Sequence, residues 1–122
     1  MSLSWKGNIV VTGVSTGLGH AIAGRFIEAG YRVLGSVRTD EDAARLTRQW
    51  GSAYDPLIFD VTDQQAIEHA VAKVQMLLGD QTLDLLINNA GVSMRALFQD
   101  LDLDVFRFGT AMNYLITIYL YC

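Results

Sequence analysis

The sequence predicts an α/β protein, a three-layer arrangement in which a parallel sheet is covered by helices on both faces, on two observations. Short apolar runs alternate with segments whose apolar residues recur at helical spacing, and no internal repeat or linker interrupts the alternation. The apolar runs carry little charge, as strands buried on both faces require, and right-handed crossovers put the intervening helices on those faces. At 122 residues, 51% apolar and 18% charged with one proline, the chain has the size and composition of one globular domain, residues 1–122, and not of a disordered or low-complexity segment.

Taken in order, "NIVVTG" (Asn8 to Gly13) reads as a buried strand. The helix after it has Leu18, Ile22, Phe26 and Ala29 at helical spacing and Gly30 at its end. "YRVLGSV" is the second strand. Thr39 caps the next helix, Asp40, Glu41 and Asp42 oppose its positive dipole end, and Gly51 closes it after Trp50. The third strand lies in "AYDPLIFDV", with Pro56 near the beginning, where a missing N–H is tolerated. Thr62 and Gln65 then form a capping-box pattern ahead of Ile67, Val71, Val74 and Leu78, and within "DVTD" Asp63 is assigned to the cap. "LDLLIN" is the fourth strand. "LDLDVFRFGTAMNYLITIYLYC" reads as a fourth helix, while the β-branched and aromatic residues from Tyr114 onward leave a strand open as the alternative.

A formal charge of −4 and a pI of about 4.9 provide no long-range positive field for nucleic acid or anionic lipid, so any bound anion must be held locally. The single cysteine, Cys122, cannot form an internal disulfide, which suits a cytoplasmic setting. No targeting segment is read: Thr12, Gly13, Ser15, Thr16, Gly17 and His20 interrupt the stretch that a secretory signal would keep apolar. The charge-free run Tyr114 to Cys122 falls short of the ~20 residues needed to cross a bilayer. "MSL" at the start reads as an expression scar, and no metal site is expected.

The turn "TGVSTGLG" leads from the first strand into the first helix. A helix N-terminus carries unsatisfied N–H groups and roughly half a positive charge, so such a turn is an anion site if the backbone can approach closely, which glycine permits. Gly13 starts the turn, Gly17 opens the helix, and Gly19 sits where a side chain would collide with strand or ligand. About 20 positions on, at the end of a second strand, a dinucleotide-binding fold reads the adenosine ribose. Val37 and Arg38 stand there. An arginine pairs with the 2′-phosphate of NADP where a carboxylate would take the 2′-hydroxyl of NAD, so Arg38 predicts NADP(H) over NAD(H). Valine in place of an acid also argues against flavin-binding and methyltransferase domains. Two further motifs each follow a strand, where side chains reach the ligand crevice. Asp60 in "FDVTD" is placed to accept from an adenine amino group, and "NNAG" (Asn88 to Gly91) joins two amides to a small turn that lets backbone touch a ligand.

In this order, "TGVSTGLG", Arg38, "DV" at Asp60 and "NNAG" resemble the short-chain dehydrogenase/reductase family over essentially the whole chain. The resemblance implies a Rossmann-like fold, NADP(H) as cofactor, and hydride transfer to or from a small carbonyl or alcohol substrate. It implies that Gly13, Ser15, Thr16, Gly17, Leu18 and Gly19 surround the pyrophosphate and adenosine ribose, that Arg38 meets the 2′-phosphate, Asp60 and Val61 the adenine, and Asn89, Ala90 and Gly91 the cofactor riboses. The second basic residue that NADP-preferring members often carry in the glycine loop is absent from Val14, Ser15 and Thr16. Family catalysis uses a serine and a Y-x-x-x-K pair, helped by an asparagine in the fourth helix. Asn113 resembles that asparagine, its alternative being an ordinary helix polar residue. No Y-x-x-x-K occurs, and Ser93, which follows the fourth strand, is not the family serine, which follows a fifth.

The chain thus reads as the cofactor half, truncated after the fourth strand and fourth helix relative to the family, and turnover by it alone is not expected. The family strand order, 3-2-1-4, would leave the fourth strand at an edge, and with the uncharged run after Tyr114 this predicts a homo-oligomer without membrane or nucleic-acid partners. Two functions stay open: an oxidoreductase of which this is the N-terminal part, or a non-catalytic nucleotide-binding or assembly module.

Overall fold

The structure, a computed structural model, describes residues 4–60 and 62–90. Its elements are β1 (Asn8–Val11), α1 (Gly17–Glu28), β2 (Arg32–Val37), α2 (Asp40–Trp50), a single 3-10 turn at Gly51–Ala53, β3 (Tyr54–Ile58), α3 (Gln64–Leu78) and β4 (Leu85–Ile87). The four strands are parallel in the order β3-β2-β1-β4, as expected. The fourth helix, or the alternative strand after Tyr114, lies outside the described residues.

Strand alternation makes the layers. Val10, Leu34 and Leu57 point to one face, where they join Phe59 and the α3 residues Ile67, Val71, Val74 and Leu78. Ile9, Val11, Val33, Val37 and Tyr54 point to the other and pack against Ala23 of α1 and Ala43 and Leu46 of α2. All four residues singled out on α3 are buried. On α1 the buried face differs from the one expected: Gly19 and Ala23 are buried, Ile22 and Phe26 pack partly, and Leu18 is 69% exposed. The small residues face inward, Gly19 onto the Gly13 backbone and Ala23 into the cluster with Ile9, Val11 and Val33, and the larger ones flank them.

The caps follow residue chemistry. Thr39 Oγ1 accepts from the Asp42 N–H at 3.2 Å, with three acids in the first turn of α2, and Gly51 caps the other end. For α3 the cap is Asp63, as expected, its carboxylate accepting from the Ala66 N–H at 3.1 Å, and the capping box predicted at Thr62 and Gln65 is not formed. Asp63 is in register with a helix that starts at Gln64, and the Thr62 hydroxyl instead donates to Asp60. Pro56 falls inside β3 and is tolerated because β3 is an edge strand, with Lys73 Nζ donating to the Pro56 carbonyl at 2.7 Å. The strands are shorter than expected: β1 ends at Val11 because Thr12 and Gly13 turn away into the loop.

Candidate functional site

β1, β2 and β4 end on the same side of the sheet, and the loop from Thr12 to Thr16 leaves β1 between its two neighbours. Gly13 and Gly17 hold positive φ values of 73° and 66°, which side chains rarely adopt, and α1 begins at Gly17. Gly19 serves a different need. A Cβ there would strike the Gly13 carbonyl oxygen and the Asn89 amide, so the first turn of α1 packs directly on the loop backbone.

Buried polar groups fasten the loop from both sides. Thr12, 1% exposed, accepts through Oγ1 from the N–H groups of Asn89 and Ala90, both at 2.9 Å. The Asn89 amide donates to the Gly13 carbonyl at 3.1 Å. From β2, Ser36 Oγ accepts from the Gly13 N–H at 2.8 Å and its carbonyl accepts from the Val14 N–H at 2.9 Å. Arg45 of α2 donates to the Ser15 carbonyl at 2.8 Å while pairing with Asp42 Oδ1 at 3.1 Å. The structure therefore brings together Gly13, Ser15, Gly19, Asn89 and Ala90 from the predicted set, with Thr16, Gly17 and Leu18 exposed at the mouth of the loop. Thr12, Ser36 and Arg45 are the residues that sequence reasoning missed. A serine at the end of an otherwise apolar strand was the available signal for Ser36, since a buried hydroxyl there must have a partner.

The N-terminus of α1 differs from those of the other two helices. Thr39 and Asp63 cap α2 and α3 through side-chain oxygens, whereas Thr16, at the N-cap of α1, makes no side-chain cap bond and no acid occupies the first turn. Among the described residues, no side chain caps the backbone donors of α1, which fits an anionic group such as a pyrophosphate.

Arg38 and Asp60 are exposed beyond β2 and β3. Asp60 Oδ1 accepts from the Thr62 N–H at 2.9 Å and the Thr62 hydroxyl at 2.7 Å. Those bonds hold its carboxyl below the usual value of 3.8 against a smaller opposing effect of burial, with the Arg38 charge helping. Beneath the loop, burial and the Asp42 charge push the Tyr54 hydroxyl far up; it stays a neutral donor to the Gly35 carbonyl at 3.0 Å. Val61, Gly91 and Asn113, and with them Ser93, lie outside the described residues.

A parallel sheet in the order 3-2-1-4, with a glycine loop between its first strand and an uncapped helix, defines a Rossmann-like α/β unit. The chain belongs to the short chain dehydrogenase family, whose model it matches over residues 7–120. It is 37% identical over 111 residues to the NADPH-dependent 3-dehydrocapnine reductase of Ornithobacterium rhinotracheale, covering 91% of this chain and 39% of that protein. Over 89 residues it is 38% identical to the serine 3-dehydrogenase of Rhizobium radiobacter, covering 73% of this chain and 35% of the relative. The crystal structure of a short-chain dehydrogenase from Streptomyces avermitilis superposes with a TM-score of 0.78 at 30% identity, covering 98% of this chain and 43% of that one. The chain therefore spans less than half the length of these relatives. Among the described residues, no helix is long and apolar enough to cross a membrane.

Proposed function

We propose that this chain is the cofactor-binding part of an NADP(H)-dependent oxidoreductase acting on a small carbonyl or alcohol substrate. The observation that carries the reading is the α1 N-terminus: the described α-helix that lacks a side-chain cap is the one the glycine loop opens onto, with Arg38 at the end of the neighbouring strand. NADP(H) in place of NAD(H) is supported by Arg38 and by the NADPH dependence of the O. rhinotracheale relative. A bound nicotinamide would supply or accept the hydride. The chain's own part is to bind and orient: Gly13, Ser15, Thr16, Gly17, Leu18 and Gly19 at the pyrophosphate and adenosine ribose, Arg38 at the 2′-phosphate, Asp60 and Val61 at the adenine, and Asn89, Ala90 and Gly91 at the riboses. Ionised Asp60 is an acceptor suited to an amino group. Asn113 is assigned, by the family resemblance, to ordering a water near the reacting groups.

Fluorescence titration with NADPH and NADH tests the cofactor. Arg38→Ala is expected to weaken NADPH by about tenfold or more, from the loss of one to two charge-assisted bonds, and NADH little. Equal loss for both refutes the phosphate assignment. A second reading is a non-catalytic nucleotide-binding or assembly module. Carbonyl reduction by the purified 122-residue chain would refute it. A cytoplasmic homo-oligomer is proposed on the acidic, single-cysteine composition and the uncharged run after Tyr114; a monodisperse monomer in light scattering at tens of micromolar overturns the oligomer.

A further inference from the structure

We infer that Arg45 is a positioning residue for the pyrophosphate loop, a role that rests on the dinucleotide reading above. Ser15 lies between the two glycines of positive φ, where the backbone is held least by its own sterics. Its carbonyl is taken by Arg45 Nη2 at 2.8 Å, a bond that crosses from α2 to the loop. The same nitrogen lies 3.1 Å from Asp42 Oδ1, so the guanidinium is braced on its own helix, one turn back, before it reaches the loop.

The consequence follows from peptide geometry. In a trans peptide the carbonyl and the following N–H point in opposite directions, and no described peptide here is cis. Fixing the Ser15 carbonyl toward α2 turns the Thr16 N–H away from it, at the uncapped end of α1. Arg45 thus sets the direction of a backbone donor without touching the ligand. Ser36 fixes two earlier amides, that of Gly13 through its hydroxyl and that of Val14 through its backbone carbonyl, so the two residues together orient three peptides of the loop.

This differs from a role as a second phosphate cation. A residue that orients the pyrophosphate loop serves both dinucleotides, because the pyrophosphate is common to them, whereas a 2′-phosphate contact serves NADPH alone.

The test is titration of wild type, Arg45→Ala, Arg45→Lys and Asp42→Asn with NADPH and with NADH, together with amide exchange of the free proteins. Arg45→Ala is expected to weaken both dinucleotides by the same factor, about three- to tenfold, the size of one partly exposed hydrogen bond. Arg45→Lys restores part of that loss, and Asp42→Asn produces part of it. Amide exchange at Gly13 and Val14, whose N–H groups are bonded to Ser36, quickens in Arg45→Ala while that of Leu46 and Thr47 within α2 does not, which separates loop positioning from a weakened helix. A loss confined to NADPH overturns the inference in favour of a direct phosphate contact, and an unchanged Kd for both overturns it outright. Wild type that binds neither dinucleotide overturns the cofactor reading and this role with it.

Discussion

Alanine substitutions at Gly19 and Gly24, both within α1, should have opposite effects on stability. At Gly24 the backbone is ordinary helix and a new Cβ meets only the Trp50 ring, at 3.9 Å, an ordinary contact. Alanine there removes backbone freedom from the unfolded chain and stabilises by about 0.4–1 kcal/mol. The same helix-propensity gain applies at Gly19, but the Cβ strikes the Gly13 carbonyl and the Asn89 amide. Relief requires the loop or the helix to shift, an overpacking cost of about 1–3 kcal/mol, and it breaks the Asn89 to Gly13 bond, about 0.5–1.5 kcal/mol more. After the propensity gain is subtracted, Gly19→Ala destabilises by about 0.5–4 kcal/mol, centred near 2. Urea unfolding followed by circular dichroism reads this directly. With a slope of about 1–3 kcal/mol per molar, the midpoint of Gly19→Ala falls by roughly 1 M relative to wild type, and that of Gly24→Ala rises by a few tenths. If Gly19→Ala unfolds at or above the wild-type midpoint, the close approach of α1 to the loop is not as described, and the case for a backbone cradle goes with it.

Thr12→Val should leave the Ala90 N–H without its acceptor and the Asn89 N–H with only the Ile87 carbonyl at 3.2 Å, and cost about 1–3 kcal/mol by the same urea measurement; a change under half of that lower bound would show that the hydroxyl does not join β1 to the segment after β4. Thr39→Ala removes a cap bond and should cost about 0.5–2 kcal/mol, while Thr16→Ala, which removes none, should leave the urea midpoint within about 0.5 kcal/mol of wild type. Equal losses at the two positions would contradict the distinction drawn between α1 and α2. Asp60 has a carboxyl lowered by its Thr62 bonds, so its ionised form contributes stability above the ordinary value of 3.8 that disappears as pH falls through that value toward the lower folded one. Wild type should therefore exceed Asp60→Asn in stability at about pH 6, and the gap should close by about pH 3; a gap that widens on acidification reverses the sign.

How far the sequence could be read depended on the range of the interactions involved. Thr39 and Gly51 were legible as helix ends because a cap is a bond within one turn, and Ile67, Val71, Val74 and Leu78 because helical spacing alone puts them on one face. Asp63 was legible as the α3 cap for the same reason, whereas the capping-box pattern at Thr62 and Gln65 misled, because Asp60 has already taken the Thr62 hydroxyl. Helical spacing alone does not find the buried face of α1, for a longer-range reason. Apolar spacing on α1 favours a face through Leu18, Ile22 and Phe26, but Gly19 lies directly on the Gly13 backbone, so the small residues turn inward. Thr12, Ser36 and Arg45 bond to partners between 23 and 78 positions away, and no local pattern announces such bonds.

Those distant bonds explain why a loop with two positive-φ glycines is held in one conformation before any ligand arrives. Each glycine widens the conformations open to the chain, which would lower affinity by the entropy of ordering them on binding. Ser36 fixes the peptides entering the loop, Arg45 the one in its middle, and Asn89 the Gly13 carbonyl on the opposite side. Partners on β2, α2 and the segment after β4 thus supply the rigidity that the glycines remove, while leaving the donors of α1 uncapped. An anion site needs both properties together, since donors that are free but disordered must be organised by the ligand, and donors that are ordered but capped have nothing left to give.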